Sequence, residues 1–262
     1  MARLPIPIRL PEGRLEAVRI VPEGARTDLP PIVFLHDALG AVSLWRDLPE
    51  QVCGALGREG LAFDRLGFGL SDPRPGPPDH RFLEVEATER LPEVLRQAGI
   101  ARPVLFGHSD GASIALLFAG AFPGVPAAVV SIAAHVFIEE VTLAGIDETA
   151  KAWAKSDLPA RLGRHHGEKA ESVFRGWSET WRDPRFRHFS AVEALRSIRC
   201  PVLVIQGGKD EYGTISQVEA ISTAVSGPVR PLVLPGLGHF PHREDTGRVL
   251  AETERFLSDF RA

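Results

Sequence analysis

The sequence predicts an α/β fold in which helices flank a mostly parallel, doubly wound sheet, with a helical segment inserted late in the chain. Short apolar runs bounded by Pro and Gly alternate with longer helical patterns, as expected for strands joined by crossover helices. Most of the runs are continuously apolar, which is typical of strands buried on both faces. With 262 residues and 44% hydrophobic content, the chain is long enough for one large core.

The predicted elements follow in chain order. The candidate strands are residues 14–21, 31–36, 60–63, 103–107, 127–133, 201–206 and 229–234. Apolar residues spaced three and four apart predict helices between them. These helices are residues 83–97, 112–122, 215–225 and 246–260.

The alternation of strand and helix breaks between residues 135 and 190, where aromatic and charged residues mix. We predict that this segment is a helical cap, inserted between a core of residues 1–134 and its continuation at 191–262. Two interpretations of its aromatic residues stay open. They form the small core of the cap itself, or some of them line an apolar substrate pocket beneath it.

Charge and cysteine content exclude several classes of protein. Lys and Arg number 30 against 34 Asp and Glu, so no broad basic field favours nucleic acid or anionic lipid. No segment reaches the roughly 18 apolar residues of a membrane span, and the N-terminus lacks a signal-peptide pattern. Cys53 and Cys200 lie far apart, without metal-ligand spacing. We expect a cytoplasmic protein without metal or cofactor, monomeric or homodimeric, that binds a small molecule.

The strongest local motif is Gly-His-Ser-Asp-Gly at residues 107–111, which matches GxSxG between a predicted strand and a predicted helix. So tight a turn strains the serine backbone and needs glycine on both sides. We predict Ser109 as a nucleophile, with the backbone N–H of Asp110 as one oxyanion donor. Two roles stay open for the Asp110 carboxylate: a solvent-facing acid in the first helical turn, or a hydrogen-bond partner of the substrate or cap.

At this point the chain resembles the α/β-hydrolase superfamily, specifically its esterase-like branch with a serine nucleophile. His-Asp-Ala-Leu-Gly at residues 36–40 is similar to the family's HGxxG oxyanion loop, with Asp37 where glycine is usual. The resemblance implies that Ala38 offers the second oxyanion N–H. Residues 64–72 resemble the family's DxxGxGxS loop, which we interpret as scaffold.

The same resemblance predicts the acid and the base, each after a later strand. Residues 207–210 are similar to the family's GxxD and give Asp210 as the acid, with Glu211 as the nearest substitute. Residues 236–241 resemble its GHxP and give His239 as the base, with His242 as the alternative. In this arrangement His239 removes the serine proton, and Asp210 orients the imidazole.

The resemblance implies hydrolysis of a carboxylic ester or related acyl bond through an acyl-enzyme, and it implies no cofactor. Serine at the turn between the predicted strand and helix argues against the dehalogenase and epoxide hydrolase branches of the family, which use aspartate there. Lactonase, carbon–carbon bond hydrolase and cofactor-free haloperoxidase or perhydrolase activities stay open, as do a hydroxynitrile-type lyase and a receptor-like binder with little turnover. The candidate substrate contacts are Asp37, Trp45, His135, Phe137, Trp177, Trp181 and Phe240.

Overall fold

The computed structural model describes residues 1–260 and contains an eight-stranded sheet. Its strands are β1 (Ala2–Pro5), β4 (Ala17–Val21), β5 (Ile32–Leu35), β6 (Gly60–Phe63), β7 (Val104–His108), β8 (Ala128–Ile132), β9 (Val202–Gly207) and β10 (Val229–Leu234). The spatial order is β1-β4-β6-β5-β7-β8-β9-β10. The pairs β1/β4 and β4/β6 are antiparallel, and all later pairs are parallel. This mostly parallel sheet confirms the predicted fold class.

Helices cover both faces of the sheet. They are α1 (Leu48–Leu56), α2 (Phe82–Val85), α3 (Leu91–Ala98), α4 (Asp110–Ala121), α8 (Val192–Leu195), α9 (Ile215–Ala224), α10 (Pro241–Glu244) and α11 (Thr246–Asp259). Two buried clusters result, one on each face. The four-residue strands β5 and β6 are buried along their whole length, which agrees with their continuous apolar runs.

The N-terminal region differs from the prediction. Residues 14–21 were expected to form one strand, but the strand is interrupted at Glu16. The first part, β3 (Gly13–Leu15), forms a separate hairpin with β2 (Ile8–Leu10), and only β4 joins the main sheet. The edge strand β1 is exposed along its length, so it carries no buried apolar pattern from which it could have been predicted.

Between β8 and β9 lie the helices α5 (Glu140–Trp153), α6 (Leu158–His166) and α7 (Ala170–Trp181). An isolated bridge between Phe137 and Ser190 joins the two ends of this segment. Its helices enclose a small apolar cluster of their own, in which Trp153 stacks on Phe174 at 4.0 Å between ring centroids. We keep the name cap for residues 135–190, and their status as a separate unit stays a prediction.

Candidate active site

Ser109 occupies the sharp turn between β7 and α4. Its backbone has φ 53° and ψ −120°, a conformation that L-residues rarely adopt. The flanking glycines allow the close approach that this turn requires. A Cβ atom on Gly107 would lie 2.3 Å from the Gly111 carbonyl oxygen, and one on Gly111 would lie 1.9 Å from the Leu35 carbonyl oxygen. The turn therefore presents Ser109 at the carboxyl edge of the sheet, beside the end of β5.

Three side chains from three different loops meet at this edge. The Nε2 atom of His239 lies 3.0 Å from the Ser109 hydroxyl oxygen. On the other side of the ring, Nδ1 lies 2.9 and 3.0 Å from the two carboxylate oxygens of Asp210. This geometry suits a protonated Nδ1 and a bare Nε2 that accepts the serine proton. The residues predicted as nucleophile, base and acid are thus brought into contact.

The carboxylate of Asp210 is fixed by the loop that carries it. Its Oδ1 accepts hydrogen bonds from the backbone N–H groups of Tyr212 at 2.8 Å and Gly213 at 3.2 Å, and its Oδ2 accepts one from the Gln206 amide at 2.7 Å. Burial alone would raise the pKa of Asp210, but the hydrogen bond and charge of His239, with the backbone N–H of Tyr212, lower it overall. Asp210 therefore stays ionised beside the imidazole.

The alternative acid, Glu211, and the alternative base, His242, make other contacts. Glu211 does not approach the imidazole nitrogens; its carboxylate accepts the backbone N–H of His239 at 3.2 Å. His242 is buried against the rings of His108 and Trp45, at centroid distances of 4.4 and 5.3 Å. His108 in turn lies 2.8 Å, through Nε2, from the carbonyl oxygen of His239, which fits a structural role in holding the histidine loop.

The loop after β5 is held by His36 and Arg65. The Nε2 atom of His36 accepts the backbone N–H of Arg65 at 3.0 Å, and the Arg65 guanidinium donates to the Asp37 carbonyl oxygen at 2.8 Å. Asp37 does not take a positive φ, so the aspartate fits this loop without strain. Glycine is favoured at position 40 instead, because a Cβ there would lie 2.9 Å from the backbone nitrogen of Asp37. Ala38, the next residue after Asp37, borders the same cavity as Ser109.

The Asp110 carboxylate is not solvent-facing, which corrects the first of its two predicted roles. It is buried, and its Oδ2 lies 3.7 Å from the guanidinium of Arg65. Burial raises its pKa to about 6, even though Arg65 acts in the opposite direction. Helix α4 begins at this residue, and the side chain lies beside Arg65 although it belongs to the first helical turn.

A small cavity of about 60 Å³ adjoins Ser109 and His239. It is lined by Asp37, Ala38, Leu39, Ser109, His135, Thr142, Ile146, Trp177, Trp181, Tyr212, His239 and Phe240. Five predicted substrate contacts are therefore brought together here: Asp37, His135, Trp177, Trp181 and Phe240. The site residues that sequence reasoning missed include Thr142, Ile146 and Tyr212, which are spread over the cap and a loop without a motif.

Two predicted contacts lie elsewhere. Trp45 ends a short 3₁₀ turn and packs its ring edge-on against Phe34 and Phe106, at 6.0 and 6.1 Å, within the core. Phe137 pairs with Ser190 at the base of the cap and packs against the main core. Both aromatic side chains pack against the core, and neither lines the cavity.

A larger open groove of about 600 Å³ meets the cavity at Ala38 and Trp177. One wall is the Pro- and Gly-rich loop at residues 73–78, and the other is α7. The groove wall includes charged side chains from both sides, among them Arg74, Lys169 and Glu179. The site is therefore a narrow chamber that opens into a wider and more polar channel.

The cap is joined to the loop at residues 36–40 through His166. The residue is buried: Nδ1 accepts the Gly69 backbone N–H at 2.9 Å, and Nε2 lies 3.0 Å from the Leu39 carbonyl oxygen. A histidine can bridge a donor and an acceptor in this way because its two nitrogens differ. This contact links the end of α6 to both loops below it.

No group of three or more His, Cys, Asp and Glu side chains within residues 1–260 is arranged to hold a metal ion. In the same range, none of the helices combines the length and the apolar composition that a bilayer-spanning segment requires.

The sheet order, the strained serine turn and the Ser–His–Asp contacts define an α/β-hydrolase fold. The sequence model of the alpha/beta hydrolase family matches residues 32–253, so the chain belongs to that family. An uncharacterized protein of Mycobacterium tuberculosis is 28% identical over 233 residues, which are 88% of this chain and 70% of that protein.

Solved structures agree with the fold. A membrane phospholipase A, described as a bacterial virulence factor, superposes with a TM-score of 0.80 at 18% identity, over 99% of this chain and 87% of that one. The enol-lactonase from Burkholderia xenovorans LB400 gives a TM-score of 0.76 at 18% identity, over 97% and 100% of the two chains. At these identities, the likeness extends to the fold alone.

Proposed function

We propose that this protein is a serine hydrolase that cleaves a carboxylic ester, or a related acyl bond, of a small and mostly apolar or aromatic substrate. The observation that carries the proposal is the continuous contact from Asp210 through His239 to the Ser109 hydroxyl. A serine hydroxyl is a poor nucleophile at neutral pH, and a neutral imidazole at 3.0 Å supplies the base that it needs.

The proposed reaction has two halves. Ser109 Oγ attacks the carbonyl carbon while its proton passes to His239 Nε2, and the carbonyl oxygen becomes an oxyanion. The backbone N–H groups of Ala38 and Asp110 stabilise that charge, each contributing on the order of 10²-fold in rate. His239 then protonates the leaving alcohol. Water, deprotonated by the same imidazole, releases the acid from the acyl-enzyme and restores the Ser109 hydroxyl.

The dimensions of the site support a short acyl group. The cavity beside Ser109 holds about 60 Å³, and its wall includes the apolar side chains of Leu39, Ile146 and Trp177. A leaving group too large for that space extends into the groove of about 600 Å³ between α7 and the loop at residues 73–78. We also propose a cytoplasmic location, which is supported by Cys53 and Cys200 both being free thiols.

The experiment is hydrolysis of p-nitrophenyl esters of increasing acyl length by the wild type and by Ser109→Ala. We expect turnover that is highest for short acyl chains and a loss of at least about 10³-fold in the variant. Comparable turnover by a folded Ser109→Ala variant would reject the serine mechanism. A folded wild type without turnover would favour a ligand-binding role instead.

A further inference from the structure

The backbone carbonyl oxygen of Asp37 is held by three hydrogen-bond donors. The Arg65 guanidinium donates to it at 2.8 Å, the Gly40 backbone N–H donates at 3.2 Å, and Nδ1 of His36 lies 2.8 Å away. Because Nε2 of His36 accepts the Arg65 backbone N–H, the imidazole proton is on Nδ1, and that nitrogen donates as well. The direction of this carbonyl bond is therefore closely fixed.

The Asp37 carbonyl belongs to the same peptide unit as the backbone N–H of Ala38. The unit is planar and trans, so its C=O and N–H bonds point in opposite directions. Any group that holds the Asp37 oxygen therefore also sets the direction of the Ala38 N–H, which is one of the two proposed oxyanion donors. A cationic donor at the carbonyl also polarises the amide and strengthens its N–H as a donor.

The Arg65 side chain lies between the two segments that carry the proposed oxyanion donors. It is only 2% exposed, and its guanidinium carbon lies 4.6 Å from the centroid of the Phe68 ring. On one side it contacts the Asp37 carbonyl, and on the other it lies 3.7 Å from the carboxylate of Asp110. Arg65 lines neither the cavity nor the groove, so it acts through the loop at residues 36–40 and not by touching the substrate.

The two proposed donors are held in different ways. The Ser109 carbonyl shares a peptide unit with the Asp110 N–H, and it accepts the backbone N–H groups of Ala112 and Ser113 at 2.9 and 3.0 Å. Helical backbone alone therefore fixes the Asp110 donor. The Asp37 carbonyl receives a single backbone hydrogen bond, at 3.2 Å, so the Ala38 donor depends on side chains.

We propose that Arg65 is a positioning residue of the oxyanion hole: by holding the Asp37 carbonyl oxygen, it directs the Ala38 N–H toward the carbonyl oxygen of the substrate. This inference rests on the proposed ester hydrolysis. It gives the loop at residues 64–72, interpreted from the sequence as scaffold, a role in that reaction.

The experiment measures kcat and KM for a short p-nitrophenyl ester, and inhibition by a short-chain methyl trifluoromethyl ketone. Ser109 Oγ adds to the ketone carbon, its proton passes to His239, and the ketone oxygen becomes an oxyanion. The inhibition constant therefore reports the oxyanion hole, whereas KM reflects mainly the binding of the uncharged ester.

Arg65→Met should lower kcat by about 10²-fold, the effect of losing one oxyanion donor, and should raise the inhibition constant by a similar factor. We expect KM to stay within about 3-fold of the wild-type value, because Arg65 does not line the cavity. Arg65→Lys keeps a charged donor and should recover at least about 10-fold of the lost kcat.

Arg90→Met is the matched control, because Arg90 is also mostly buried and its ion pairs are with Glu86 at 2.6 Å and Glu12 at 3.1 Å, and not with either oxyanion segment. It should keep kcat and the inhibition constant within about 3-fold. If Arg65→Met does not fold because the buried Asp110 loses its partner, Arg65→Met combined with Asp110→Asn is compared with Asp110→Asn alone. The same ratios are expected.

Several outcomes overturn this inference and leave ester hydrolysis standing. They are a folded Arg65→Met enzyme with wild-type kcat, a loss that appears in KM instead of kcat, an unchanged inhibition constant, or an equal loss in Arg90→Met.

If the wild type hydrolyses no ester, the proposed function fails, and the direction of the N–H bonds decides. Residual dipolar couplings of the Ala38 and Asp110 amides are then compared between the Arg65→Met protein and its parent. The Ala38 coupling should change and the Asp110 coupling should not. An unchanged Ala38 coupling overturns the inference.

Discussion

Replacing Asp210 by Asn should inactivate the protein without unfolding it. In Asp210→Asn the amide oxygen takes the place of Oδ1, because the backbone N–H groups of Tyr212 and Gly213 both donate to that position. The amide NH₂ is then placed at Oδ2, 2.9 Å from Nδ1 of His239, where the Gln206 amide loses its acceptor. The imidazole responds by accepting at Nδ1 and carrying its proton on Nε2, so it can no longer take the Ser109 proton.

The expected loss is about 10⁴-fold in kcat, the effect of the wrong tautomer in a Ser–His–Asp site, or about 5 kcal/mol of transition-state stabilisation at 1.36 kcal/mol per tenfold. Glu211→Gln is the matched control, because Glu211 is an adjacent carboxylate that contacts the His239 backbone N–H and not the ring. It should lose less than about 10-fold.

The assay is steady-state hydrolysis of a short p-nitrophenyl ester, with thermal melts to establish that both variants are folded. A folded Asp210→Asn enzyme within 10-fold of the wild type would refute the role assigned to Asp210. A larger loss in Glu211→Gln than in Asp210→Asn would show that the acid had been misassigned.

Three further results are expected. Gly111→Ala should destabilise the protein by more than about 2 kcal/mol in urea unfolding, since its Cβ would lie 1.9 Å from the Leu35 carbonyl oxygen. The control is Gly124→Ala, which should change stability by less than about 1 kcal/mol because no atom lies within 4 Å of the new Cβ. The folded pKa of Asp110, about 6, lies above its ordinary value of 3.8, so the stability that this carboxyl contributes is complete below pH 3.8 and is lost as the pH rises through 6. Between pH 4 and pH 7, the unfolding free energy of the wild type should therefore fall by about 2–3 kcal/mol relative to that of Asp110→Asn. A difference between the two proteins that is the same at both pH values would contradict this. Because burial raises the pKa of the Cys53 and Cys200 thiols to about 12 and about 11, neither should react with a thiol reagent until the protein unfolds, and rapid labelling of the native protein would show that a thiol is exposed.

The sequence predicted those parts of the molecule that depend on local backbone chemistry. The continuous apolar runs identified the parallel strands, because burial on both faces leaves no polar position. The serine turn could be predicted because Gly107 and Gly111 sit where any Cβ would strike backbone. The edge strand β1 could not be predicted, because its exposed residues carry no burial pattern.

The pocket was predictable only in part. His135 and Trp181 were among the predicted contacts, but Trp45 looked equivalent in sequence and packs in the core instead. Which aromatic residue faces a cavity depends on how the cap helices dock, and composition does not encode that. Gln206 was missed for a related reason: its buried amide supports Asp210 across a strand end, a contact without a sequence motif.

In the proposed reaction, Ser109 forms the covalent intermediate. The most direct measurement is mass spectrometry of the intact protein after reaction with a fluorophosphonate, followed by peptide mapping. We expect a single adduct on Ser109 in the wild type, none in Ser109→Ala, and a rate of labelling that falls sharply in Asp210→Asn. An adduct on another residue, or a folded wild type that does not react, would contradict it.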